Sequence, residues 1–128
     1  MLNKAILIGR LTADPELRYT QSGTAVANFR IAVDRPYTNQ TGERETDFIP
    51  IVVWDKLAEN CANFLAKGRL VAIDGRIQVR SYDAQDGTRR WVTEVVANDV
   101  RFLDRGRDND MGGSGFEDDM GINDRVPF

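Results

Sequence analysis

The sequence contains no histidine and only one cysteine, Cys61. A disulfide within the chain is therefore impossible, and a zinc site built from Cys and His ligands is effectively excluded. The lack of an imidazole also removes every mechanism that uses histidine as a general base. These absences favour a binding protein over an enzyme, and no cofactor or metal is expected.

Long apolar runs are missing as well. No stretch reaches the roughly 18 apolar residues that a membrane span requires. The N-terminus, with Asn3, Lys4 and Arg10 around a short apolar run, lacks the layout of a signal peptide. The sequence therefore predicts a cytoplasmic protein without membrane contact.

A positive net charge is also absent, since the chain carries −3 at pH 7. Residues 1–104 hold equal numbers of basic and acidic side chains, and the acidic surplus lies in residues 105–128. A neutral body can still bind phosphate if its cations share one face. The net charge therefore does not exclude a nucleic-acid partner.

The pattern of apolar residues predicts five strands, over residues 3–12, 24–35, 47–55, 69–82 and 91–103. Helical spacing predicts a short helix over 56–67, with Asp55 as its N-cap and Gly68 just past its end. Three strands, one helix and two strands is the layout of the OB-fold, a five-stranded Greek-key barrel. We therefore expect an all-β OB-fold domain over residues 1–104.

The composition changes after Asp104. Residues 105–128 are rich in Gly and Asp and cannot bury enough apolar surface to offset the cost of ordering. They are predicted to form a disordered tail that ends in an apolar tip.

Alternation along the third and fourth predicted strands separates a core face from an outer face. The residues predicted to point into the core are Ile49, Ile51, Val53, Val71, Ile73, Ile77 and Val79. Those predicted to point outward are Phe48, Pro50, Val52, Trp54, Lys56, Arg76, Gln78, Arg80 and Tyr82. Arg35 and Tyr37 lie beside them, at the mouth of a polar loop over 37–46.

An outward set of aromatic and basic side chains exposes costly apolar area unless something covers it. Unpaired bases stack on aromatic faces while Lys and Arg attract the phosphates. Such stacking is worth roughly 1–3 kcal/mol per base and tolerates any base. Duplex DNA hides its base faces, so the pattern favours single strands. Outward aromatics also occur at subunit interfaces, and that alternative stays open.

A metal-dependent nuclease is a weaker alternative. The carboxylate pairs Asp14/Glu16 and Asp118/Asp119 could in principle hold magnesium. They fall in a predicted turn and in the tail, where no rigid cluster is expected.

Four segments resemble bacterial-type single-stranded-DNA-binding proteins, at residues 3–23, 25–33, 54–68 and 93–99. The stacking energy quoted above is itself typical of single-strand binders of this fold. The resemblance implies a non-enzymatic homotetramer that coats single-stranded DNA in replication, recombination and repair. The DNA-binding residues it implies, together with the alternation, are Tyr37, Phe48, Trp54, Tyr82, Lys56, Arg76, Arg80 and Arg35.

The C-terminal tip resembles the peptide with which this family docks on DNA-processing enzymes. The resemblance implies partner-binding roles for Asp124, Val126, Pro127 and Phe128, with the terminal carboxylate captured by basic residues. The chain departs from the family pattern at Arg125, because acidic residues usually stand directly before the apolar end.

Two further classes of OB-fold protein are weighed. A primosome accessory module would use the barrel mainly to contact proteins, and such relatives typically lack the apolar tip. An RNA binder of the cold-shock kind would be shorter, with closely spaced aromatic motifs that this sequence does not contain.

Overall fold

The computed structural model describes residues 1–104, which form six strands and one helix. Their bounds are β1 Ala5–Leu11, β2 Glu16–Tyr19, β3 Ala25–Thr38, β4 Arg44–Trp54, α1 Asp55–Phe64, β5 Leu70–Asp83 and β6 Arg89–Phe102. The predicted tail lies outside the described residues, and so do its candidate docking residues Asp124, Val126, Pro127 and Phe128.

The strands form one closed sheet in the order β1-β5-β6-β4-β3-β2, and a pairing between β1 and β3 closes it. Arg10 lies opposite Ala32, and Leu11 lies opposite Ile31. The contact between β4 and β6 is parallel, whereas the other pairings are antiparallel. This closed barrel confirms the predicted OB-fold.

The strand β2 was not predicted. It has four residues, and it pairs with β3 from Glu16 opposite Asn28 to Tyr19 opposite Ala25. Four residues are too few for alternation to be distinguished from a turn. The predicted third and fourth strands are therefore β4 and β5.

The barrel interior is filled by apolar side chains from every long strand. The fully or almost fully buried members are Leu11, Ala25, Ala27, Phe29, Ile31, Ile51, Val53, Val71, Ile73, Val95, Ala97 and Val100. The helix α1 packs mainly against β3 and adds Ala58 and Cys61 to the same core. Ile49 is partly buried against it, so the predicted core face of β4 is confirmed.

The helix differs from the prediction at both ends. Trp54 is its N-cap residue and makes no side-chain cap hydrogen bond, while Asp55 is the first helical residue, with φ of 63°. The helix ends at Phe64, and Gly68 lies in the following turn with φ of +89°. Asp55 is therefore not the N-cap.

The prediction that Ile77 and Val79 are core residues is wrong, because both side chains are exposed. β1 pairs with β5 only between Leu70 and Gly75. Beyond Gly75, β5 pairs with β6 alone, while β6 still pairs with β4 at Val95 and Val96. The two side chains keep the inward parity but have no barrel wall opposite them.

No helix within residues 1–104 is long and apolar enough to cross a membrane. In the same part of the chain, no group of three or more Cys, Asp and Glu side chains is arranged to hold a metal ion.

Candidate nucleic-acid interface

Two predicted stacking residues lie on the outer face of β4. Phe48 is 57% exposed and Trp54 is 41% exposed, so a flat ligand can reach both rings. Pro50 and Val52 occupy the positions between them on the same face. Val52 is nevertheless buried, because it lies beside Val96 in the parallel pairing of β4 with β6.

The other two predicted stacking residues are also exposed. Tyr82 is near the far end of the β5–β6 hairpin, opposite Arg90. Tyr37 belongs to β3, which extends two residues into the predicted polar loop, and its ring faces solvent. All four aromatic side chains are therefore accessible for stacking.

The predicted phosphate contacts fall into two groups. Lys56 and Arg76 are exposed and form no ion pair within residues 1–104. Arg80, by contrast, donates from Nε to the Glu94 carboxylate at 2.8 Å. Of the predicted phosphate contacts, Lys56 at the start of α1 and Arg76 on the outer face of β5 are thus the free cations, as far as residues 1–104 are concerned.

Arg35 is engaged by two carboxylates. Its guanidinium donates to Asp47 Oδ1 from Nη2 at 2.9 Å and to Glu45 Oε1 from Nη1 at 2.8 Å. The hydrogen bond to Asp47 and its charge raise the pKa of Arg35, and the same hydrogen bond lowers the pKa of Asp47. A phosphate would have to compete with both anions, which makes Arg35 the weakest member of the predicted set.

A groove of about 370 Å³ includes one of the predicted phosphate contacts, Arg80, in its lining. Its walls include Thr12, Asp14, Glu16, Asn28, Arg30, Pro50, Arg80, Val92 and Glu94. Pro50 lies between Phe48 and Trp54 on the outer face of β4, although neither ring lines the groove itself. The β5–β6 hairpin contributes Arg80 to the wall of the same groove.

Three residues near this surface were not assigned to it from the sequence. Arg30 faces the groove opposite Pro50 and has no ion pair among the described residues. Glu94 is buried on the outer side of β6. Trp91 is exposed and lies opposite Ser81, on the face of the hairpin away from Tyr82. The alternation that predicts an outward Arg76 also predicts an outward Arg30, so Arg30 could have been assigned to this surface from the sequence.

A barrel closed by the five strands β1, β3, β4, β5 and β6, with accessible rings beside cations, is typical of the class of OB-fold proteins that bind oligonucleotides. The model of the "Single-strand binding protein family" matches residues 2–103 of this chain. The chain belongs to the single-strand binding protein family. This membership confirms the family resemblance found in the sequence and the non-enzymatic class that the resemblance implied.

Several curated relatives are similar over most of the chain. The "Single-stranded DNA-binding protein" of Halalkalibacterium halodurans is 60% identical over 114 residues, which is 89% of this chain and 68% of the relative. "Single-stranded DNA-binding protein 2" of Clostridium acetobutylicum is 60% identical over 111 residues, covering 86% and 83%. The "Single-stranded DNA-binding protein" of Caldanaerobacter subterraneus subsp. tengcongensis is 64% identical over 104 residues, covering 81% and 69%.

Proposed function

We propose that this chain binds and protects single-stranded DNA without reading its sequence, in replication, recombination and repair. The observation that carries the proposal is the exposure of Phe48, Trp54 and Tyr82 on the outer side of the barrel, next to the free cations Lys56 and Arg76. The names of the relatives support the same activity.

The binding mechanism combines stacking with charge. Unpaired bases lie on the rings of Tyr37, Phe48, Trp54 and Tyr82, where any base can stack. Lys56 and Arg76 contact the phosphates as free cations. Arg80 and Arg35 join them from within existing ion pairs. Duplex DNA binds poorly, because its base faces are already stacked on one another.

A fluorescence titration tests this function. The chain has two tryptophans, so a Trp91→Phe variant leaves Trp54 as the sole indole reporter. Oligo-dT, duplex DNA and RNA of equal length are added in turn. We expect saturable quenching by oligo-dT that weakens steeply with salt as counterions are released. Comparable affinity for duplex DNA would contradict the proposal.

A Trp54→Ala variant provides the matched test of stacking. Because the ring is 41% exposed, its loss should weaken oligo-dT binding by roughly 1–3 kcal/mol and leave thermal unfolding almost unchanged. Unchanged binding would show that Trp54 has a different partner, such as a second subunit.

The homotetramer implied by family resemblance is part of the proposal. Ile6 and Ile8 support it, because they are exposed on the outer face of β1, where a soluble monomer gains nothing from apolar side chains. Analytical ultracentrifugation is expected to show a tetramer, and an Ile6→Glu/Ile8→Glu variant is expected to sediment as a smaller species. A monomeric wild type would refute this part alone.

The tail completes the proposal. Asp124, Val126, Pro127 and Phe128 are proposed to dock on replication and repair proteins, and the location is proposed to be the cytoplasm, in association with the nucleoid. Deletion of residues 119–128 should leave oligo-dT affinity equal or slightly higher, because an acidic segment competes with phosphate. A large loss of DNA affinity would instead place the tail in the DNA site.

A further inference from the structure

Glu94 stands out because it is buried on the outer side of β6, away from the apolar core. Its side chain is only 3% exposed, and it is the one buried polar or charged residue in the described part of the chain. A buried carboxylate is costly unless it is paired and hydrogen-bonded. The partners of Glu94 therefore indicate why it is there.

Two side chains of β5 satisfy the same carboxylate oxygen. Gln78 Nε2 donates to Oε2 at 2.9 Å, and Arg80 Nε donates to it at 2.8 Å. Gln78 lies directly opposite Glu94 in the ladder, and Arg80 lies on the diagonal. Gln78 is neutral, so of these two partners it is Arg80 that supplies a positive charge.

This contact uses only the inner nitrogen of Arg80. Its terminal nitrogens have no hydrogen-bond partner within residues 1–104, and the side chain remains 53% exposed. Arg80 and Glu94 both line the groove, together with Arg30 and Pro50. The arginine is held at its inner nitrogen while its terminal amino groups remain available to a ligand.

We infer that Glu94 is a positioning residue for DNA binding: it fixes Arg80 so that the two terminal nitrogens form a preset fork for a backbone phosphate in the groove. The inference rests on the proposed function. A guanidinium can donate two parallel hydrogen bonds to two oxygens of one phosphate. An arginine already restrained at Nε loses less side-chain freedom when the phosphate arrives.

A purely neutralising carboxylate would have the opposite effect. If Glu94 only cancelled the charge of Arg80, its removal would release a full cation and strengthen binding. If Glu94 positions Arg80, its removal weakens binding. The direction in which DNA affinity changes therefore separates a positioning role from a neutralising one.

The test measures oligo-dT affinity over a series of salt concentrations. Arg80→Ala should lower affinity roughly tenfold, the size of one charge-assisted hydrogen-bond pair. It should also flatten the plot of log affinity against log salt by about 0.7, the value of one phosphate contact on a single strand. Arg80→Lys should lose nearly as much affinity, because an ammonium keeps the charge but not the fork.

Glu94→Gln tests the positioning itself. It retains the shape of the side chain but replaces the anion with a weaker neutral acceptor. We expect lower affinity than wild type and no further loss when it is combined with Arg80→Ala. The control pair Arg76→Ala and Glu94→Gln should be additive, because Arg76 is exposed and forms no ion pair within residues 1–104.

Tighter binding by Glu94→Gln, or additivity with Arg80→Ala, would overturn the inference. If Glu94→Gln does not fold, the exposed Arg80 variants still decide, because full affinity in Arg80→Lys also overturns it. A wild type that fails to bind oligo-dT refutes the proposed function itself. A wild type that binds, with Arg80→Ala unaffected, refutes only the role of Glu94.

Discussion

The two halves of the β5–β6 hairpin follow one sequence pattern and reach different environments. Ile73 and Ile77 are on the same side of β5, yet Ile73 is fully buried while Ile77 is 46% exposed. On β5, the near half (residues 70–75) pairs with both β1 and β6, and the far half (residues 76–83) pairs only with β6. Alternation therefore identifies the face of a strand, whereas the neighbouring strands decide whether that face is buried.

The largest effect expected from this difference is on stability. Ile73→Ala should lower the free energy of unfolding by about 2–5 kcal/mol, because it leaves a cavity in a packed interior. The matched variant Ile77→Ala should cost less than about 1 kcal/mol, because it removes a side chain that water already reaches. Urea denaturation measures both. Equal losses would mean that the far half is also covered, and a second copy of the chain would be the first candidate.

The boundary between the halves lies at Gly75, next to a β-bulge at Asn98 of β6. The ladder shifts register between Asp74 and Gly75, and a Cβ atom at Gly75 would clash with the Val96 carbonyl oxygen. That oxygen belongs to the backbone and cannot move aside easily. Gly75→Ala should therefore destabilise the barrel by about 1–3 kcal/mol.

Gly87, in the turn at the far end of the hairpin, provides the control for this substitution. It has φ of +87° and open space around it. Gly87→Ala should cost only the backbone strain of about 1 kcal/mol. Thermal unfolding of both variants measures the difference, and a milder effect at Gly75 than at Gly87 would show that the bulge is easily rearranged.

Most of the barrel and much of the candidate surface could be predicted from the sequence, because both depend on local alternation. Phe48 and Trp54 are exposed as their parity requires. The burial of Glu94 could not be predicted in this way, because it depends on Gln78 and Arg80 from another strand. The engagement of Arg35 by Asp47 is hidden for the same reason, since the two residues lie on paired strands.

The two faces of the far half provide the next test. Tyr82 shares the outer face with Arg76 and Arg80, whereas Trp91 lies on the opposite face. Tyr82→Ala should weaken oligo-dT binding by roughly 1–3 kcal/mol, and Tyr82→Phe should retain the affinity because the ring remains. Trp91→Ala should change the affinity by less than about 0.5 kcal/mol. A large effect of Trp91→Ala would extend the DNA path around both faces of the hairpin.

The smallest expected effect is a change of folding stability with pH, caused by the burial of Cys61 in the barrel core. Burial raises the pKa of the Cys61 thiol to about 11, while an unfolded thiol ionises near 8.5. The thiol therefore stays protonated in the folded chain as pH rises through the unfolded value, and stability falls between about pH 8.5 and 11. At pH 9 this loss is only about 0.5–1 kcal/mol, and it should be absent in Cys61→Ala.

The same contrast can be measured by thiol chemistry. Cys61 should react with Ellman's reagent only after unfolding, because its side chain is fully buried. A thiol placed in the far half by Ser81→Cys, in a Cys61→Ala background, should react in the native state, since Ser81 is exposed. Protection of that second thiol in free protein would mean that the far half is covered by another subunit. Protection that appears only when oligo-dT is added would mean that the DNA covers it.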